Sequence, residues 1–181
     1  MIKLKKNQKI RALSALIFLL LGYNNTERCD YYMKEYVGKD GDTVKLLREC
    51  DAGIKMGIAS IEEVVSDIED KNFREMLNEC KRRHEKLSME VGTLLDVHND
   101  EGKNPNPMAK SMSWIKTNVK MMASPSDKTI ADLMTDGCNM GVKSLGRYLN
   151  QYKDANEESK EIAKNLIRLE DRLSTDLREY L

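Results

Sequence analysis

The sequence predicts an all-α protein built as a four-helix bundle of two antiparallel αα-hairpins. Apolar residues recur at steps of three and four through four long segments, the pattern of amphipathic helices. Charged residues make up 33% of the chain and aromatic residues 6%, which favours helices with aliphatic cores over a β-rich fold. The three prolines, Pro105, Pro107 and Pro125, fall within one stretch. Long uninterrupted helices are therefore possible on both sides of it.

The N-terminal segment, residues 1–32, differs from the rest of the chain. A basic stretch, Met1–Arg11, precedes an apolar run, Ala12–Tyr23, that is too short to span a bilayer but fits the apolar part of a secretory signal. Three interpretations stay open: a signal or anchor, a short helix packed on the body, and a false extension before translation from Met33. Residues 33–41 are predicted as a linker.

The predicted bundle covers residues 42–181, and its charge argues against nucleic-acid binding. Net charge is zero overall, and the first eleven residues carry five basic side chains and no acid. The remaining chain is therefore mildly acidic, whereas a nucleic-acid partner needs a basic stripe. We expect a cytoplasmic protein, with export or membrane anchoring through residues 12–23 as the alternative.

The first hairpin is predicted from two capping residues and two apolar stripes. Asp42, just after Gly41, can cap the first long helix, and Asp70 can cap the second. The first stripe consists of Leu47, Cys50, Ile54, Ile58, Ile61, Val65 and Ile68. The second consists of Phe73, Leu77, Cys80, His84, Leu87, Val91, Leu94 and His98. The stretch Asn99–Pro107 that follows is predicted as a loop.

A short extra helix and the second hairpin are predicted after this loop. The extra helix covers about Met108–Met122 and carries Trp114. Ser124, with Pro125 behind it, is predicted to cap the third long helix, and Asp154 the fourth. The third stripe consists of Ile130, Met134, Cys138, Gly141, Leu145 and Tyr148. The fourth consists of Ile162, Leu166, Leu169, Leu173, Leu177 and Tyr180.

An internal repeat links the first and third helices. The segment Asp51–Ile61 aligns without a gap on Thr135–Leu145, which predicts a duplicated αα-hairpin. The repeat places a glycine at four mid-helix positions, each costing about 1 kcal/mol relative to alanine. We expect these glycines to let the first and third helices approach closely. They are Gly53, Gly57, Gly137 and Gly141.

Three short segments add to this layout: Glu49–Gly53 in the first helix, Asn78–His84 in the second and Ser113–Lys116 in the extra helix. With the duplicated hairpin, they resemble a bacterial ferritin-like family of unknown function that is distantly related to rubrerythrins. The resemblance covers about Asp42–Leu181. It implies a ferritin-like bundle. We also expect a homodimer formed through a helical face.

The metal ligands of ferritin-like proteins are largely missing from this chain. Such proteins use a Glu from each of two helices and a Glu-x-x-His pair from each of the other two. Here Lys81 stands three residues before His84, and Leu173 stands three residues after Glu170. We therefore expect no dinuclear iron and no ferroxidase-type activity.

The inward cysteines leave one other metal site to consider. Cys80 and His84 are i,i+4 neighbours, and with Cys50 and Cys138 they suit tetrahedral zinc in type. Buried thiols more often act as small apolar side chains, and His84 can instead bond Glu49. We expect a non-enzymatic structural or protein-interaction role, without a cofactor. Iron or zinc bound by Glu49, Cys50, Cys80, His84 and Cys138 is the alternative.

Overall fold

The structure, a computed structural model, describes the backbone of residues 26–102 and 125–181 and the side chains of residues 41–102 and 125–181. All regular structure in these ranges is helical, which confirms the predicted all-α, four-helix architecture. The helices are α1 (Thr26–Val64), α2 (Lys71–Val97), α3 (Asp127–Gln151) and α4 (Glu157–Asp176), and a short 3₁₀ helix (Leu177–Tyr180) follows α4. The chain divides into two units, Met1–Val37 and Gly38–Leu181. The contacts described below belong to the second.

The predicted apolar stripes form one hydrophobic core shared by the four helices. A representative set of fully buried residues is Leu47, Ile54, Phe73, Leu77, Ile130 and Leu166. The stripe residues at the margins, such as Ile58, Leu87 and Tyr148, are half-buried and pack against this cluster. The spacing of three and four residues therefore identified the inward face of every long helix correctly.

The first helix begins earlier than predicted. Asp42 lies inside α1, so the proposed cap is wrong, and residues 33–41, predicted as a linker, are helical. Gly38 and Gly41 weaken a helix but do not end it, and no proline interrupts Thr26–Val64. Asp42 instead pairs with Lys45 one turn on, at 3.5 Å.

The caps of the other helices are set by side-chain hydrogen bonds. Asp70 caps α2 as predicted, since its carboxylate accepts the Phe73 N–H at 2.8 Å. Ser126, rather than Ser124, caps α3. Asn156, rather than Asp154, caps α4. Ser and Asn cap helices as well as Asp does, so composition alone does not choose between neighbours.

Long-range hydrogen bonds at Asp127 and Asn156 hold the starts of α3 and α4 in place. The Asp127 carboxylate, in the first turn of α3, accepts the backbone N–H groups of Glu69 and Asp70 at 2.9 and 2.7 Å. The Asn156 N–H donates to the Thr43 hydroxyl of α1 at 2.9 Å. Each helix start is therefore tied to the other hairpin. These ties fix where α3 and α4 begin.

Several predictions concern residues that the structure does not describe. The extra helix at Met108–Met122, with Trp114, lies outside the described residues, as does most of residues 1–32. Of the predicted loop, Asn99 to Gly102 is seen, with positive φ values of 54° and 77° at its two ends. In the described ranges, no helix combines the length and the apolar character needed to cross a membrane.

Candidate functional site

A buried imidazole–carboxylate pair joins α2 to α4 in the protein core. His84 is 1% exposed and Glu170 is 9% exposed, and His84 Nε2 lies 2.9 Å from Glu170 Oε1. The sequence predicted a carboxylate partner for His84 but named Glu49 of α1, which is wrong. Glu170 lies beside the apolar stripe of α4, and nothing in its local spacing indicated that it faces His84.

The proton positions of this pair follow from its neighbours. His84 Nδ1 lies 3.0 Å from the Cys80 carbonyl oxygen one turn earlier, and a carbonyl only accepts hydrogen bonds. Nδ1 therefore carries a proton and donates it there. The Cys80 Sγ atom lies on the same edge of the ring, 3.6 Å from Nδ1. A second proton is held between Nε2 and the Glu170 carboxylate.

The electrostatics favour the charged form of His84. Burial lowers the pKa of an imidazole, but the hydrogen bonds with Cys80 and Glu170 and the Glu170 charge outweigh it, and the pKa of His84 rises to about 10. At neutral pH the pair is therefore an imidazolium and a carboxylate. Such a pair is tolerated in a core when it is directly hydrogen-bonded, as here.

Two of the repeat glycines make room for this pair. A Cβ atom on Gly57 would lie 2.7 Å from His84 Nε2 and 2.9 Å from Cδ2. A Cβ on Gly141 would lie 3.6 Å from Glu170 Cγ. In both hairpins a glycine of the first helix therefore faces the charged residue of the second.

The other two glycines have ordinary surroundings. A Cβ on Gly53 would lie 3.6 Å from Leu166, and one on Gly137 would have no such neighbour within 4 Å. The predicted close approach of the first and third helices is thus not what these positions provide. The neighbours of the repeat glycines, where they have any, are side chains of α2 and α4. Gly57 and Gly141 face their own hairpin partners, whereas Gly53 faces Leu166 of the other hairpin.

The three described cysteines are buried and free, at the inward positions that the stripes predicted. Burial, followed by the charges of Glu49 and Asp51, raises the pKa of Cys50 to about 12. Burial, followed by nearby Glu170, also raises the pKa of Cys138 well above its usual range. Both are therefore protonated thiols at neutral pH, which makes them poor nucleophiles and poor metal ligands.

The donor atoms near His84 do not fit a single metal ion. Cys80 lies at the Nδ1 edge of the His84 ring and Glu170 at the Nε2 edge. A metal ion bound to one ring nitrogen could therefore not be bound by both side chains. In the part of the chain that the structure describes, no group of three or more His, Cys, Asp or Glu side chains could hold a metal. Glu49 and Cys50 belong to α1, and the hydrogen bonds of the His84 ring go to Cys80 and Glu170.

A small surface cleft lies between α2 and α4 and reaches Cys80. Its volume is about 150 Å³, and its walls combine apolar and charged side chains. The lining residues are Met76, Glu79, Cys80, Arg83, Leu169, Arg172, Leu173 and Asp176. No local sequence pattern indicates this cleft, because it depends on how two helices that are far apart in the chain are aligned.

Two acidic residues near the turn between α1 and α2, Glu62 and Asp70, have structural partners. Glu62 pairs with Lys81 of α2 at 2.6 Å, and Asp70 caps α2. Arg74 donates to the Ile68 carbonyl at 2.6 Å and stiffens the same turn. These acids therefore stabilise the hairpin.

The candidate site is thus the buried contact between Cys80, His84 and Glu170, with the α2–α4 cleft beside it. Its geometry identifies a group of residues but no substrate. Comparison of the chain with protein-family models, with curated proteins and with solved structures finds no match.

Proposed function

We propose that this chain is a ferritin-like helical bundle without a dinuclear metal centre, and that it serves a structural or protein-interaction role rather than an enzymatic one. The observation that carries the proposal is the direct His84–Glu170 hydrogen bond at 2.9 Å. Both residues are buried in the core of the bundle, and ferritin-like bundles hold their metal ligands on side chains that project inward.

The residues that face His84 and Glu170 differ in type from the ligands of ferritin-like metal proteins. Ferritin-like metal proteins direct a carboxylate from each of two helices, and a Glu-x-x-His pair from each of the other two, toward two ions. In this chain α2 provides His84 and α4 provides Glu170. The α1 residue against the His84 ring is Gly57, and the α3 residue against Glu170 is Gly141. Neither has a donor atom, so the carboxylates needed from two helices are absent at these places.

An internal duplication is part of the proposal. His84 and Glu170 are 86 residues apart, the same separation as the caps Asp70 and Asn156 at the starts of α2 and α4. The two charged residues therefore occupy equivalent places in two similar hairpins.

The surface supports an interaction role. Three large apolar side chains of α2 and α3, Met89, Val97 and Met140, are each more than 60% exposed, at 69%, 61% and 64%. Methionine surfaces adapt readily to partners. We propose a homo-oligomer formed through a helical face, with another protein as the alternative partner.

Iron or zinc bound through Glu49, Cys80 and His84 is the competing function. It would require His84 to leave Glu170, which costs about 3–5 kcal/mol when a buried pair is broken. Metal binding would have to offset that free energy, and the ligands needed for this are not placed at the ring by α1 and α3.

The test is elemental analysis of the full-length protein, purified without chelator or metal-affinity resin. We expect iron and zinc below about a tenth of an equivalent per chain, because a stable site needs several converging ligands and the described residues bring no three such side chains together. One equivalent or more of either metal would overturn the proposal. Light scattering of the same sample measures the oligomeric state. A monomer at all concentrations would contradict the proposed homo-oligomer.

A further inference from the structure

Cys80, His84 and Glu170 form a continuous thiol–imidazole–carboxylate series that ends at the wall of the α2–α4 cleft. The thiol sulfur lies 3.6 Å from His84 Nδ1, and Nε2 of the same ring lies 2.9 Å from Glu170. Cys80 also lines the α2–α4 cleft, whereas Cys50 and Cys138 do not. Cys80 is itself buried, at 5% exposure, so in the described residues this cleft is the route by which a small molecule would reach the thiol.

We propose that Cys80 is a modification site, at which small peroxides that enter the α2–α4 cleft oxidise the thiol to a sulfenic acid. The thiolate is the reactive form of cysteine. A nucleophile next to an imidazole that a third group orients is the usual arrangement for activating a thiol. Here Glu170 holds the ring, and the Nδ1–H bond is directed at the edge where Cys80 lies.

His84 acts by position in this reaction, not as a base. Its Nδ1 already carries a proton, because it donates to the Cys80 carbonyl at 3.0 Å. That N–H can also donate to the sulfur, which stabilises a negative charge there. At the rim of the cleft Arg83 pairs with Glu79 at 3.1 Å and Arg172 with Asp176 at 3.6 Å, so these four groups add no net charge beside the sulfur.

The reaction balances with a peroxide as the oxidant. The Cys80 thiol loses its proton to water in the cleft, and the thiolate attacks one peroxide oxygen. The S–O bond forms as the O–O bond breaks, and the leaving hydroxide takes up a proton to become water. Sulfur loses two electrons and the peroxide gains them. The product is a sulfenic acid, which thiols can reduce again.

The size of the cleft and the other cysteines determine the selectivity. About 150 Å³ admits hydrogen peroxide and small organic hydroperoxides. Cys50 is fully buried, and Cys138 is 2% exposed. Burial also keeps both of these thiols protonated. The same chain therefore contains two internal controls.

The experiment exposes the reduced full-length protein to hydrogen peroxide for a series of times. Catalase stops the reaction, the protein is unfolded, remaining thiols are alkylated, and peptide mass spectrometry measures the free fraction of each cysteine. We expect Cys80 to be lost at least about tenfold faster than Cys50 and Cys138. Equal rates for the three, or a Cys80 rate below the others, would overturn the proposal.

Variants of the cleft test the route. Met76→Trp fills the cleft without changing His84 and should slow the oxidation of Cys80 to the rate of Cys50. Glu75→Trp, on the exposed face of the same helix, is the matched control and should leave the Cys80 rate unchanged. If both variants leave the rate unchanged, the cleft is not the route and the proposal is wrong. A variant that unfolds is recognised because all three cysteines then react together.

Discussion

The sharpest prediction concerns two glycines of the repeat that differ in their surroundings. Gly57→Ala places a methyl group 2.7 Å from His84 Nε2, where real contacts begin above 3.0 Å. The His84 ring cannot move away without a loss of stability, because it is 1% exposed and is held by hydrogen bonds at both nitrogens. Gly137→Ala, in α3, places the same methyl group where no such atom lies within 4 Å.

The two substitutions should therefore change stability in opposite directions. Both gain about 1 kcal/mol of helix propensity. At Gly57, overpacking costs about 1–3 kcal/mol, and weakening the hydrogen bond between charged groups costs about 1.5–3 kcal/mol. The net expectation is a loss of about 1.5–5 kcal/mol for Gly57→Ala and a gain of about 1 kcal/mol for Gly137→Ala.

Urea unfolding at pH 7, followed by far-ultraviolet circular dichroism, measures both free energies. The m-values should match that of the parent protein, which shows that the unfolded states are comparable. If Gly57→Ala were neutral or stabilising, the His84 ring would not lie against α1 as described. The described packing of the buried His84–Glu170 pair would then be wrong.

Three further predictions test the buried pair and the helix starts. Glu170→Ala leaves His84 buried without its carboxylate and should lower the free energy of unfolding by about 3–5 kcal/mol, whereas Glu161→Ala, on the exposed face of the same helix, should change it by less than about 1 kcal/mol. Similar losses for the two would refute the special role of Glu170. The pKa of His84 is about 10 in the folded protein and about 6.5 in the unfolded chain, so the pair's contribution is complete below about pH 6.5 and is lost as pH rises toward 10. Unfolding measured from pH 6 to 10 should show this decline in the parent protein and a flatter profile in Glu170→Gln. Asp127→Ala removes the carboxylate that accepts hydrogen bonds from two backbone N–H groups. The free energy of unfolding should fall by about 1 kcal/mol in thermal unfolding. An unchanged melting temperature would contradict the hydrogen bonds between α3 and the turn before α2.

Local patterns in the sequence were enough to predict the helices and their inward faces. The repeats of three and four placed Leu47, Leu77, Ile130 and Leu166 inside, and the structure buries all four. Asp70 was identified as a cap because its signal lies within four residues of the helix that it starts. Such features depend on φ and ψ preferences and on helical periodicity, which neighbouring residues alone determine.

The site itself depends on distances that no local pattern encodes. His84 was known to face inward, but its partner, Glu170, is set by the rotation and vertical alignment of α2 against α4, which the packing of many side chains decides together. The caps at Ser126 and Asn156 likewise depend on contacts with another hairpin. The sequence by itself therefore determined four amphipathic helices and their core. Only the tertiary structure decided which charged groups meet in that core and which cysteine reaches a cleft.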